Sequence, residues 1–453
     1  MVLEKYLRAV DETDPVKYLG KVKRVQGILV ESIGPRAAVG EMCHILPERG
    51  KPLLAEVVAV RNEVVQLMSY DPLIGLEIGD SVVASGSSMS VSVGPDMLGR
   101  VLDALGRPMD SKGPITVKKH YPMFNSPPSP MDREPISKRL DTGIRAIDAV
   151  LPVGRGQRMG IFAGSGVGKS TLLGMVARNT SADINVIALI GERGREVREF
   201  IESDLGEEGL ERSVIIVSTS DTPALARVRG AFTATAIAEY FRDQGKDVML
   251  LFDSVTRFAM SQREIGLAIG EPPTTRSYTP SVFSLMPRLL ERPGVSSEGT
   301  ITALYTVLVE GDDLDEPVSD AVRGYLDGHI VLSRKLADRN HYPAIDILAS
   351  ISRVAPRLMN KRSAEAAGRI RRLISSYKEK EDLIDVGAYV KGTDPEVDEA
   401  IEKKDILNAF LIQGISEHEE PASIYSRAAE IAGLEPEEND EEGNGDEAVS
   451  VFA

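Results

Sequence analysis

This 453-residue sequence contains no tryptophan, one cysteine, five histidines and only 5% aromatic residues. The lone Cys43 excludes an internal disulfide and a thiolate metal cluster. The histidines are scattered without metal-ligand spacing, and the neighbours Cys43 and His44 read as core and turn residues. No apolar run approaches the roughly 18 residues that cross a bilayer. The opening residues MVLEKYLRAVDETD lack a basic stretch followed by an apolar one. The expectation is a cytoplasmic protein that is neither membrane-inserted nor secreted. Basic residues are also in deficit, since 53 Lys and Arg face 69 Asp and Glu, a formal charge of −16. An acidic chain poor in aromatics argues against a nucleic-acid partner, which needs a basic footprint and stacking platforms.

What the sequence does have is glycine at informative spacing. Residues 162–173 read FAGSGVGKSTLL. In a P-loop, Ala163, Gly164, Ser165, Gly166, Val167 and Gly168 would wrap a phosphate with backbone N–H groups. Lys169 would reach its outer oxygens, and Ser170 and Thr171 would open a helix. Ala163 stands where the strict pattern has glycine, so the position asks for a small residue. RMGIF before the loop reads as a buried strand and STLLGMVARN after it as a helix, the order the mechanism needs. A glycine-rich turn without a ligand is the weaker reading. A dinucleotide site is excluded because Lys169 follows at once and the next strand, NVIALI, ends without an acidic residue.

Two further strand ends complete a phosphoryl-transfer site. DVMLLFD closes on Asp253, a candidate to hold Mg2+, directly or through a water, while Ser170 gives the ion its hydroxyl. NVIALI runs into GERGREV, where Glu192, or failing it Glu196, would polarise a water for in-line attack. Lys169 and Arg193 would offset the charge developing on the phosphoryl group. Taken singly, Asp253 is an ordinary strand-terminal cap and GERGRE an ordinary charged loop. Arg353, in SISRVAP, is a candidate arginine finger on position alone, against the reading of a surface arginine.

Along the chain, Leu3, Tyr6, Leu7 and Val10 share one helical face, so residues 1–18 read as a short helix that packs on its own domain or binds a partner. Short Val-, Ile- and Leu-rich runs over 19–92 suggest a small β-barrel. The Pro-rich stretch 120–135 reads as loop. Over 93–362, apolar runs (RMGIF, NVIALI, SVIIVS, DVMLLFD, TITALYTVLV) alternate with helical ones, the pattern of an α/β core with a parallel sheet covered on both faces. Residues 363–417 read as a C-terminal α-helical domain. Residues 418–453 read as an acidic, disordered tail, with eight carboxylates and no Lys or Arg in the last twenty positions.

Several stretches together resemble the rotary-type hexameric ATPases related to the catalytic subunit of ATP synthase. These are LDTGIRAIDAVLPVGRGQRMGIFAGSGVGKS, GERGREV, LLFDSVTRFA and YPAIDILASISR, the last with Pro343, Ala344, Ile345, Asp346, Ser350 and Ser352 at signature positions. Three more segments are similar to the export branch, the ATPases of type III protein secretion: VGPDMLGRVLDALGRPMD, GEPPTTRSYTPSVFSLMPRLLERPG and VEGDDLDEPVSDAVRGYLDGHIVLSRKLADRNHYPAID. The segment VESIGPRAAVGEMCHI resembles the flagellar type more than the injectisome type. The resemblance implies a recombinase-like P-loop core, ATP and Mg2+ as cofactors, and Glu192, Lys169 and Asp253 in the roles above. It also implies Arg193 as an active-site arginine, Arg353 as a finger into the next subunit, and Tyr342 packed on adenine.

The partners it implies are five further copies in a homohexamer, a stator-like protein at the N-terminal helix, a central stalk protein, the export gate and chaperone–substrate complexes. The location would be peripheral to the inner face of the cytoplasmic membrane. Ser277, Tyr278, Thr279 and Pro280 depart from the family's usual turn, and the tail lies outside its pattern. The rivals are an injectisome ATPase, an ATP synthase catalytic subunit, which the VEGDDLDEP segment opposes, and a hexameric RNA translocase, which the composition opposes.

Overall fold

The computed structural model describes residues 19–435, apart from 132, 310, 312 and 314. The helix read at 1–18 and the acidic run beyond 435 lie outside the described residues. The chain divides into two compact units.

The first unit is built on a closed six-stranded antiparallel barrel of strands Leu19–Gln26, Leu29–Ile33, Glu41–Leu46, Leu53–Arg61, Val64–Ser69 and Ser81–Ser88. Side chains alternate across each strand, so Val22, Val30, Cys43, Ile45, Val57, Leu67 and Val82 meet inside. Burial, with Glu41 nearby, pushes the Cys43 thiol up to about 12, as suits a core residue. Residues 221–228 and 261–282 cluster with the barrel, although their place in the chain assigns them to the ATPase span.

The second unit centres on a nine-stranded sheet. Its order is Ile345–Ser352, Gly328–Leu332, Arg158–Ala163, Thr300–Leu308, Asp247–Asp253, Ile184–Ile190, Ser213–Ser218 and Arg100–Asp103, with Gly294–Val295 paired to Thr300–Leu308. Ile184–Ile190 is buried at every position, because helices cover both faces of the sheet. Ala163 lies opposite Leu308 and Leu332, and Leu189 opposite Asp253. The ends of these strands therefore reach one edge together, where ligands bind on such sheets.

Three sequence expectations need correction. The sheet is not wholly parallel, since Ile345–Ser352 runs antiparallel to Gly328–Leu332 after the intervening segment turns the chain back through the short helix Arg334–Asp338. The Pro-rich stretch is not all loop, because Lys119–Pro122 pairs with Ser90–Val93 at an edge where Pro122 costs no ladder bond. The tail does not start at 418. Pro421–Ile431 is a helix, with Ile424, Ala428, Ala429 and Ile431 buried at helical spacing.

That helix joins Lys361–Asp385 and Pro395–Leu411 in the C-terminal bundle. Asn360 and Asp394 cap the two longer helices, accepting hydrogen bonds from Ser363 N and from Glu396 and Val397 N. Among the described residues no helix is long and apolar enough to cross a membrane.

Candidate active site

The strand Arg158–Ala163 opens directly into the loop 164–168, and the helix Lys169–Asn179 follows. Gly166 and Gly168 have φ of +77° and +89°, the left-handed region that only glycine enters without strain. No side chain caps the helix at Gly168, so its first N–H groups remain available for an anion. A Cβ at Gly168 would stand 3.4 Å from the ring of Tyr342. Tyr342 is thus packed beside the loop, and its carbonyl accepts a 2.9 Å hydrogen bond from Gln413 N. Gln413 also donates from Nε2 to Gly143 O at 2.8 Å and accepts from Arg145 N at 2.9 Å, which ties the C-terminal bundle to the wall of the site.

Lys169, Glu192 and Asp253 come from three separate strand ends and converge. Lys169 Nζ is hydrogen-bonded to Asp253 Oδ1 and lies 3.6 Å from Glu192 Oε1. Burial opposes the ammonium charge, but the two carboxylates outweigh it and hold the Lys169 pKa above its ordinary value. Burial and the neighbouring Asp253 push the Glu192 carboxyl up to about 7, against the pull of Lys169 and Arg257. Thr306 Oγ1 donates to Asp253 Oδ1 at 2.7 Å, orienting that carboxylate from the adjacent strand.

Ser170, Glu192, Glu196 and Asp253 line one small cavity. Glu192 Oε1 is buried there with no hydrogen bond and with the Lys169 ammonium 3.6 Å away, so it can accept from a further donor or cation. No group of three or more His, Cys, Asp or Glu forms a metal cage among the described residues. One hydroxyl and one or two carboxylates suit a hard cation that takes its remaining oxygens from a bound phosphate.

The other candidates lie as follows. Thr171 lies in the first turn of the helix, beside the Asp204 carboxyl. Arg193 is exposed and pairs with Glu196 at 3.5 Å, away from Lys169. Arg353 is exposed, with its N–H on Asp327 O and its guanidinium on Arg323 O at 3.4 Å. Ser352 lies opposite Gly328, whereas Ile345 lies opposite Leu332 beside the loop, so Arg353 stands at the far edge of the sheet from its own P-loop.

Sequence reasoning missed Arg257, Thr306 and Gln413. Arg257 packs its stem on Gly191, where a Cβ would meet it at 2.7 Å, and its charge acts on Glu192. Its signal was the basic residue four positions after Asp253 in SVTRFA.

Comparison with known proteins follows the same lines. The profile of the ATP synthase alpha/beta family, nucleotide-binding domain, matches residues 143–352. The beta-barrel domain of that family matches residues 22–86. The T3SS EscN ATPase C-terminal domain matches residues 359–427. The flagellum-specific ATP synthase of Treponema pallidum is 57% identical over 434 residues, 96% of this chain and 97% of that protein. That of Bacillus subtilis is 52% identical over 442 residues, 96% and 99% of the two chains. The assembled ATPase EscN of the enteropathogenic E. coli type III secretion system superposes with a TM-score of 0.87 at 44% identity, covering 91% of this chain and 100% of that one. EscN in complex with its central stalk EscO superposes with a TM-score of 0.85.

Proposed function

Because the chain belongs to the ATP synthase alpha/beta family, in its type III export branch, we propose that it works as a Mg2+-dependent ATP hydrolase energising flagellar protein export. The observation that carries the chemistry is the convergence of Lys169, Ser170, Glu192 and Asp253 at one sheet edge beside a glycine loop. ATP phosphates entering the loop draw Lys169 away from Asp253 and Glu192 to the outer phosphoryl oxygens. Glu192, relieved of the lysine, accepts a proton from a water whose oxygen attacks the γ-phosphorus. The bond from phosphorus to the β–γ bridging oxygen breaks, and ADP leaves with that electron pair. Ser170 and Asp253 would hold Mg2+, which would supply neutralisation of the charge carried by the phosphate oxygens.

Arg353 cannot serve its own loop from the opposite sheet edge. In a closed ring with heterologous interfaces it completes the site of a neighbour, so turnover waits for assembly. The homohexamer, a central stalk of the kind bound by EscN, a stator-like protein at residues 1–18, the export gate and chaperone–substrate complexes complete the proposed machinery, at the cytoplasmic face of the membrane. Hydrolysis then drives release of export substrates from chaperones and their entry into the channel.

Deleting the gene in its native host tests this reading. Loss of motility and of extracellular flagellin, restored by the wild-type gene but not by Lys169→Ala, is the expected result. Normal motility with failed effector secretion would move the assignment to an injectisome, for which the likeness to EscN is the supporting observation.

A further inference from the structure

We infer that Arg334 is a positioning residue for nucleotide binding: from outside the P-loop it holds the Ser165 carbonyl and thereby keeps the Gly166 N–H turned toward the phosphate. The inference rests on the P-loop reading above. Arg334 opens the short helix after Gly328–Leu332, the strand next to Arg158–Ala163, with Leu332 level with Ala163. It therefore rises beside the loop, and its Nη2 donates to Ser165 O at 3.0 Å.

The Ser165–Gly166 peptide is the central amide of a turn, and Gly166 has φ +77°, the value a type II turn requires at its third residue. Turning that one peptide over converts type II into type I, and glycine accepts either orientation. Packing does not hold it in place. Ser165 and Gly166 are exposed, and a Cβ at Gly166 would meet no atom within 4 Å.

A planar trans peptide points its C=O and its N–H in opposite directions. A carbonyl tethered outward to Arg334 therefore commits the Gly166 N–H to the inside of the loop. Once released, the peptide is free to present its oxygen to the phosphate, which repels it. Arg334 never touches the nucleotide in this scheme. Its guanidinium selects one of two loop conformations in advance, and the phosphate then meets a donor already aimed.

The test is calorimetric titration of the full chain and its variants with ADP, together with steady-state ATP hydrolysis and thermal melting without nucleotide. The contact is exposed and charge-assisted, so Arg334→Ala is expected to weaken ADP binding about 5- to 20-fold and to raise KM for ATP in parallel, with kcat within about threefold. Arg334→Lys, which keeps a donor of similar reach, should recover most of the affinity. Arg334→Ala binding ADP as tightly as wild type would overturn the inference. So would a variant pair in which Lys is as weak as Ala, or in which kcat falls while KM stays constant. A wild-type chain that bound no ADP would instead fail the P-loop reading itself.

Discussion

Mixing two inactive variants measures whether the site is shared between subunits. Arg353 follows Ser352, and seven residue steps separate Ser352 from Ile345 at the loop edge. The strand bulges between Asp346 and Ile351, so its partner covers the same stretch in four steps, from Gly328 to Leu332, or about 13 Å, still longer than an arginine side chain reaching back to its own phosphate. In the proposed ring, each complete site takes its P-loop from one subunit and its finger from another. In rings assembled from equal amounts of Arg353→Ala and Lys169→Ala chains, a site works when the first supplies the loop and the second the finger. With random assortment that happens at about one site in four, so about a quarter of wild-type hydrolysis returns if sites act independently, and less if they act in concert. Each parent alone should sit far below this, since removing an arginine finger costs about 10³- to 10⁵-fold. The assay is phosphate release from rings whose mixed composition is verified by native mass spectrometry. Mixed rings no more active than their parents would refute the shared site, and near-wild-type activity in Arg353→Ala alone would refute the finger.

Glu192→Gln should lower kcat at least about 10²-fold while ATP binding stays within threefold, and retained turnover would remove Glu192 from the base role. The carboxyl must be ionised to accept a proton and its pKa is raised to about 7, so kcat/KM should rise about tenfold per pH unit below that value and level off above it. A flat profile from pH 5.5 to 8 would count against this. Gly168→Ala places a side chain at φ +89° and 3.4 Å from Tyr342, and should weaken ADP binding about 5- to 30-fold in the same titration. Arg292, fully buried and paired with Glu239 at 2.7 Å, also donates to Met123 O. Arg292→Ala should destabilise the chain by about 3–5 kcal/mol in urea, and Arg292→Met with Glu239→Leu by much less. Equal losses would show that the pair is not isolated from its surroundings.

The parts of this protein that local chemistry determines were readable in advance. Glycine spacing before Lys169, apolar strands ending at Asp253 and just before Glu192, and the short Val-, Ile- and Leu-rich runs of the barrel each depend on a few adjacent residues. The features that escaped depend on chain that returns from far away. Gln413 meets Tyr342 and Gly143 only because the C-terminal bundle folds back, and Arg334 meets Ser165 only because two strands distant in sequence lie side by side. Residues 261–282 join the barrel unit for the same reason, with no local cue in their composition. The helix Pro421–Ile431 was legible in its Ile424, Ala428 and Ile431 spacing, but the carboxylate run that follows masked it.

The strand Ile345–Ser352 gains a further meaning from what flanks it. Tyr342 precedes it, beside the subunit's own loop, and Arg353 follows it at the opposite rim. The bulge within this strand is tied back by Asp346, whose Oδ1 accepts from Leu348 N and Ala349 N, so a shift at one end is carried through to the other. In the proposed ring, each member would report its own occupancy to the one neighbour it faces and to no other. Messages of that kind have a handedness, and a circle of such members would fire in rotation instead of at random.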